Sequence, residues 1–181
     1  KNNLKLMYGG GKCGLMGKLS KSVFDNGGET IGITLPMFDD MGVTPDYLDQ
    51  LTTEENFYLR KKSMIDKSDF FVIFPGGVGT ADEFFDIFNH LCLGLENKNI
   101  YVFNKDDCWT DLLKWIDKNV ELNMLKNKPD GLFVSERYHI GDNRGFLSRL
   151  WCKDAYKEIG WNVDDIVQIN HTYTAKKGTI R

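Results

Sequence analysis

Apolar and polar positions along this chain fall into short solid apolar runs that alternate with longer stretches of helical period. The clearest run is Phe70-Phe71-Val72-Ile73-Phe74, bounded by Asp69 and Pro75. Such a run suits a strand covered on both faces, as in a parallel sheet flanked by helices. From Thr80 the spacing changes, and Phe84, Phe85, Ile87, Phe88, Leu91 and Leu95 make a broad apolar helical face. The same alternation repeats along the chain. Leu4 to Tyr8 predicts a strand, followed by a glycine-rich loop and a helix to about Asn26 that Gly27-Gly28 stops. Thr30 to Leu35 predicts a strand ended by Pro36, and Met37 to Gln50 an irregular loop. Thr52-Thr53-Glu54-Glu55 has the capping-box pattern of a helix start, and that helix runs to about Lys67. Ile100 to Phe103 predicts a strand, Trp109 to Val120 a helix, Gly131 to Tyr138 a last strand and Phe146 to Ile159 a helix.

Strands that alternate with helices predict an α/β fold with a largely parallel sheet, helices on both faces and right-handed crossovers. Residues 1–140 read as one Rossmann-like domain. Residues 141–181 read as a C-terminal helix and tail of that domain, entered through the turn-rich Gly141-Asp142-Asn143-Arg144-Gly145. From Gly160 onward the periodicity is weak.

Composition narrows the class. A chain of 181 residues with 41% hydrophobic and 13% aromatic residues can bury a sizeable core and is not disordered. The net charge of -3 supplies no general basic field, which argues against nucleic acid as a partner. No apolar run reaches the roughly 20 residues needed to span a bilayer, and the N-terminus carries no signal-peptide pattern. A cytoplasmic protein is the expectation. Cys13, Cys92, Cys108 and Cys152 are widely spaced without a C-x-x-C pair, so they read as reduced thiols. No acidic or histidine cluster suggests a metal, and no cofactor is required.

The candidate chemistry sits where strands run into glycines. After the Phe70 strand comes Pro75-Gly76-Gly77-Val78-Gly79-Thr80-Ala81-Asp82-Glu83. Gly76, Gly77 and Gly79 allow close approach to the main chain, and the helix that follows points its unpaired N–H groups at whatever lies there. Phosphate is the favoured guest. Glu83 has two readings: a carboxylate for chemistry at the carboxyl edge of a parallel sheet, or the return partner of Thr80 in a capping box. Tyr8-Gly9-Gly10-Gly11-Lys12-Cys13-Gly14-Leu15-Met16-Gly17 forms a second strand–glycine–helix unit. Its glycines either line the same crevice or serve helix–strand packing. Arg60 shares an i, i+3, i+7 stripe with Phe57 and Met64, which points its guanidinium inward, while Lys62 points outward and Lys61 either does the same or reaches a phosphate.

Together, the two glycine motifs resemble the paired signatures of the LONELY GUY (LOG) family, often labelled lysine decarboxylases. The resemblance runs from about Leu4 to Glu121. It implies a Rossmann-like three-layer αβα sandwich. It also implies hydrolysis of a cytokinin or purine nucleoside 5′-monophosphate to free base and ribose 5-phosphate. By the resemblance Arg60 and Glu83 are the catalytic pair. Gly10, Gly11, Gly14, Lys61, Gly76, Gly77, Gly79 and Thr80 would hold substrate and its phosphate. A homodimer or larger homo-oligomer is implied as well. Members of the family usually carry a further strand and small-residue loop before the Tyr8 strand. This chain starts almost at that strand, so the usual first strand is expected to be lacking.

Two other classes stay open. A nucleotide-binding or carrier module of the same fold would show binding without turnover. A dinucleotide-dependent oxidoreductase would need G-x-G-x-x-G, which Gly9-Gly10-Gly11 and Gly14-Leu15-Met16-Gly17 do not match in register.

Overall fold

The computed structural model describes residues 4–136, 139–142, 145–152 and 168–174, with side chains through residue 135. It has mixed α/β architecture with parallel sheets, as the alternation predicts. The chain divides into two compact units, Lys1–Asp69 and Phe70–Arg181.

The first unit is built on a parallel sheet of β1 (Lys5–Tyr8), β2 (Glu29–Thr34) and β3 (Gln50–Thr53), with β2 in the middle. Helix α1 (Gly14–Asp25) links β1 to β2 as a parallel pair requires, and α3 (Phe57–Lys67) follows β3. The stretch 37–50 is not all loop. Pro36, expected only to end a strand, opens the short helix α2 (Pro36–Asp40), where its missing N–H costs nothing. Thr52 and Thr53 do not cap a helix either; they are the end of β3. Asn56 is the true N-cap of α3, its side chain accepting the Leu59 N–H at 3.0 Å. Ile33, Leu35, Tyr8 and Ile65 are buried in this unit together with Thr30, Thr34, Ser20 and Arg60.

The second unit holds a parallel sheet β4 (Phe71–Ile73), β5 (Ile100–Asn104) and β6 (Leu132–Glu136), with β5 central. Helix α4 (Val78–Cys92) joins β4 to β5, and α5 (Thr110–Glu121) joins β5 to β6. The apolar face read from the sequence is buried at Phe84, Ile87 and Phe88. Phe84 and Phe88 stack at 5.4 Å between ring centroids, and Phe85 meets Trp115 of α5 edge-on at 5.8 Å.

The end of this unit departs from expectation. β7 (His139–Asp142), β8 (Gly145–Cys152) and β9 (Gln168–Thr174) form an antiparallel sheet. The helix expected over 146–159 is therefore a strand as far as Cys152, and the remainder of that stretch lies outside the described residues. Phe146, Leu147, Leu150 and Trp151 have a spacing that helix and strand share over so short a run. Pairing with β7 and β9 decides it. The weak periodicity after Gly160 likewise conceals β9.

Candidate functional site

Each unit presents one glycine turn at the carboxyl end of a strand. In the first unit the turn follows β1. Gly10 has a φ of +76°, which only glycine adopts freely, and a Cβ there would lie 3.5 Å from Thr34 Cβ at the end of β2. Gly11 is half-buried against Met16, whose Cε would lie 3.0 Å from an added Cβ. Gly14, with φ +61°, is exposed at the start of α1.

Arg60 joins this cluster. The cap on Asn56 fixes the start of α3, and the side chain leaves its first turn toward the sheet. Its Nε donates to the Ile33 carbonyl of β2 at 2.9 Å. Only 8% of Arg60 is exposed, so the guanidinium is a cation largely withdrawn from water at the carboxyl ends of β1 and β2. The inward direction expected from the stripe is observed, but not the company: Phe57 is half exposed and packs edge-on against Phe38 instead. Lys62 points to solvent as expected and pairs with Asp66. Lys61 is half-buried.

In the second unit the turn follows β4. Helix α4 starts at Val78 with Gly77 as N-cap, two residues earlier than the sequence pattern suggested. Ala81 N–H donates to the Gly77 carbonyl at 3.1 Å, which makes Thr80 the third helical residue. The capping-box reading of Thr80 and Glu83 is therefore overturned. Thr80 instead folds back over Gly76, where any Cβ would strike its side chain. Gly77 brings no side chain to cap α4 and the first turn carries no acidic residue, so the electropositive end of the helix suits an anionic guest. A Cβ on Gly77 or Gly79 would meet nothing within 4 Å. Neither has a positive φ. Gly77 serves as the N-cap, but packing and backbone geometry leave Gly79 unexplained, and an anion approaching the main chain would explain it. Glu83 is half-buried in the second turn, three residues on from Thr80 and hence on the same side of the helix.

Among the described residues no group of three His, Cys, Asp or Glu side chains could hold a metal ion. No described helix is long and apolar enough to cross a membrane. Gly9 belongs to the glycine motif of the first turn, but nothing in the sequence marks Ile33, because the carbonyl of an apolar strand residue gives no signal.

Parallel βαβ units with glycine turns at the carboxyl ends of strands, one feeding a helix that a glycine caps, define the Rossmann-like class of α/β folds. Comparison with known proteins narrows this further. The family model described as "Possible lysine decarboxylase" matches residues 16–138. The cytokinin riboside 5′-monophosphate phosphoribohydrolase LOG5 of Arabidopsis thaliana is 34% identical over 132 residues, 73% of this chain and 58% of that protein. LOG3 of the same plant is 33% identical over 133 residues, covering 74% and 62%. The cytokinin riboside 5′-monophosphate phosphoribohydrolase of Rhodococcoides fascians is 35% identical over 118 residues, covering 65% and 60%. The chain belongs to the LOG family. It spans about three fifths of the length of these relatives.

Proposed function

We propose that the protein hydrolyses the N-glycosidic bond of a nucleoside 5′-monophosphate of the cytokinin riboside type, or of a related purine nucleotide. Water adds to C1′ of the ribose, the bond to the base nitrogen breaks, and the base leaves with a proton. The products are free base and ribose 5-phosphate. The observation that carries this reading is the glycine-capped start of α4, where Gly77 and Gly79 have room above them and no packing reason to be glycine.

In this scheme the 5′-phosphate lies on the main-chain N–H groups of Gly76 to Thr80, and the family resemblance assigns Lys61 to substrate binding. Gly10, Gly11 and Gly14 let the β1 turn approach the nucleotide. Glu83 stabilises positive charge that develops on the ribose as the bond lengthens, or holds the attacking water. Arg60 orients the substrate and offsets negative charge on the phosphate or departing base; a fixed, planar guanidinium suits both tasks. That relatives of the chain are cytokinin riboside 5′-monophosphate phosphoribohydrolases supports the substrate class. A homodimer in the cytoplasm belongs to the same reading, and light scattering of the purified protein tests the dimer.

The direct test is release of base and ribose 5-phosphate from a panel of nucleoside monophosphates. Wild type should turn over one or more of them. Glu83→Gln and Arg60→Ala should each lose on the order of 100-fold or more in kcat. Glu83→Gln should still bind nucleotide, because the amide keeps the shape and removes only the charge. Binding without any turnover in wild type would replace the hydrolase with a carrier.

A further inference from the structure

We propose that Gly9 is a positioning residue for Arg60, its missing side chain being the seat on which the guanidinium rests. The inference deepens the hydrolase reading, which gives Arg60 its chemical role. A Cβ built on Gly9 would overlap Nη2 of Arg60 and lie 3.5 Å from its Cζ, with Met16 Sδ 3.7 Å away. Gly9 is not among the residues of positive φ, so its backbone conformation is open to alanine. What requires glycine at this position is the guanidinium. Gly10 differs, because its φ of +76° demands glycine whatever lies nearby.

The consequence is that the Ile33 carbonyl and Gly9 bear on different ends of the guanidinium. The Ile33 carbonyl takes Nε at 2.9 Å and fixes the near end of the group. The bare Cα of Gly9 leaves room for Nη2 beside the β1 turn. A methyl group at residue 9 takes that room. An arginine end is flexible, so the fold can tolerate the change by swinging the guanidinium aside. The cost then falls on chemistry: a displacement near 1 Å of a catalytic group can lower turnover by about 100-fold.

The test combines Gly9→Ala, Arg60→Ala and the double variant with two readouts. One is turnover of the nucleoside monophosphate that wild type accepts. The other is the 15N–1H resonance of Arg60 Nε, assigned by its loss in Arg60→Ala. The expected result is that Gly9→Ala folds, shifts the Nε–H resonance and lowers kcat by about 100-fold, while adding Gly9→Ala to Arg60→Ala changes neither stability nor residual rate. If Gly9→Ala fails to fold but the double variant folds, the collision with Arg60 is established and the seat stands. Unchanged Nε–H resonance and turnover in Gly9→Ala would overturn it, as would failure of both Gly9 variants to fold. Arg60→Ala at full turnover would instead sink the catalytic role of Arg60, and the resonance would still report on the seat.

Discussion

Gly79 separates what a residue does for the fold from what it does for a ligand. It sits in the first turn of α4 with no positive φ and with open space where a Cβ would be. Alanine is the better helix former, by about 0.4–1 kcal/mol at a compatible site. Gly79→Ala is therefore expected to raise stability by that order in urea denaturation while weakening nucleotide binding, because the methyl group occupies the approach to the main chain. Isothermal titration with the preferred nucleoside monophosphate checks the second half. Binding at wild-type strength would remove phosphate from this turn. At this scale the sequence was partly legible. The inward direction of Arg60 could be read from the helical period. The Thr80–Glu83 capping box could not be excluded until the helix was seen to start at Val78.

At the scale of elements, β3 shows how a strand can exist without an apolar signature. Gln50-Leu51-Thr52-Thr53 is short and mostly exposed, and it forms because β2 is there to pair with it. Asp49 fixes that pairing. Its Oδ2 accepts both the Thr30 N–H at 2.8 Å and the Thr30 hydroxyl at 2.9 Å, while its own N–H donates to the Thr30 carbonyl at 3.1 Å. The hydrogen bond from the Thr30 backbone, with help from its hydroxyl, holds the Asp49 carboxyl below its ordinary value of 3.8. A carboxylate with a lowered folded pKa contributes stability that is present above its unfolded pKa and lost as pH falls through the folded one. Asp49→Asn should thus lower the melting temperature at neutral pH. Variant and wild type should converge as pH drops below 3.8 and through the lowered folded value. Parallel melting curves that never converge would place the stabilising effect elsewhere than in this charge.

Thiol chemistry reports on the whole molecule. Cys13 and Cys108 are exposed and Cys92 is half-buried, all three unpaired. Burial pushes the Cys92 thiol up, and the thiolate is the nucleophile. Iodoacetamide at pH 8 should therefore label Cys13 and Cys108 before Cys92, as peptide mass spectrometry can follow; first labelling of Cys92 would contradict the packing around α4. Cys13 lies in the β1 turn, so bound nucleotide should slow its labelling if that turn lines the site.

What the sequence determined by itself is the succession of βαβ units and the two glycine turns. Those features follow from local rules: apolar runs make covered strands, helical periodicity makes amphipathic helices, and glycine clusters punctuate both. The tertiary structure alone decided β3, the antiparallel β7–β9 sheet, the true start of α4 and the seat of Arg60. Each depends on a partner distant in sequence. β3 needs β2 beside it, and Phe146 to Cys152 become a strand only between β7 and β9. Arg60 is drawn inward to a carbonyl of Ile33 and a bare Cα at Gly9, 27 and 51 residues away along the chain. Periodicity records which face of an element is apolar; it does not record which backbone group waits on the other side.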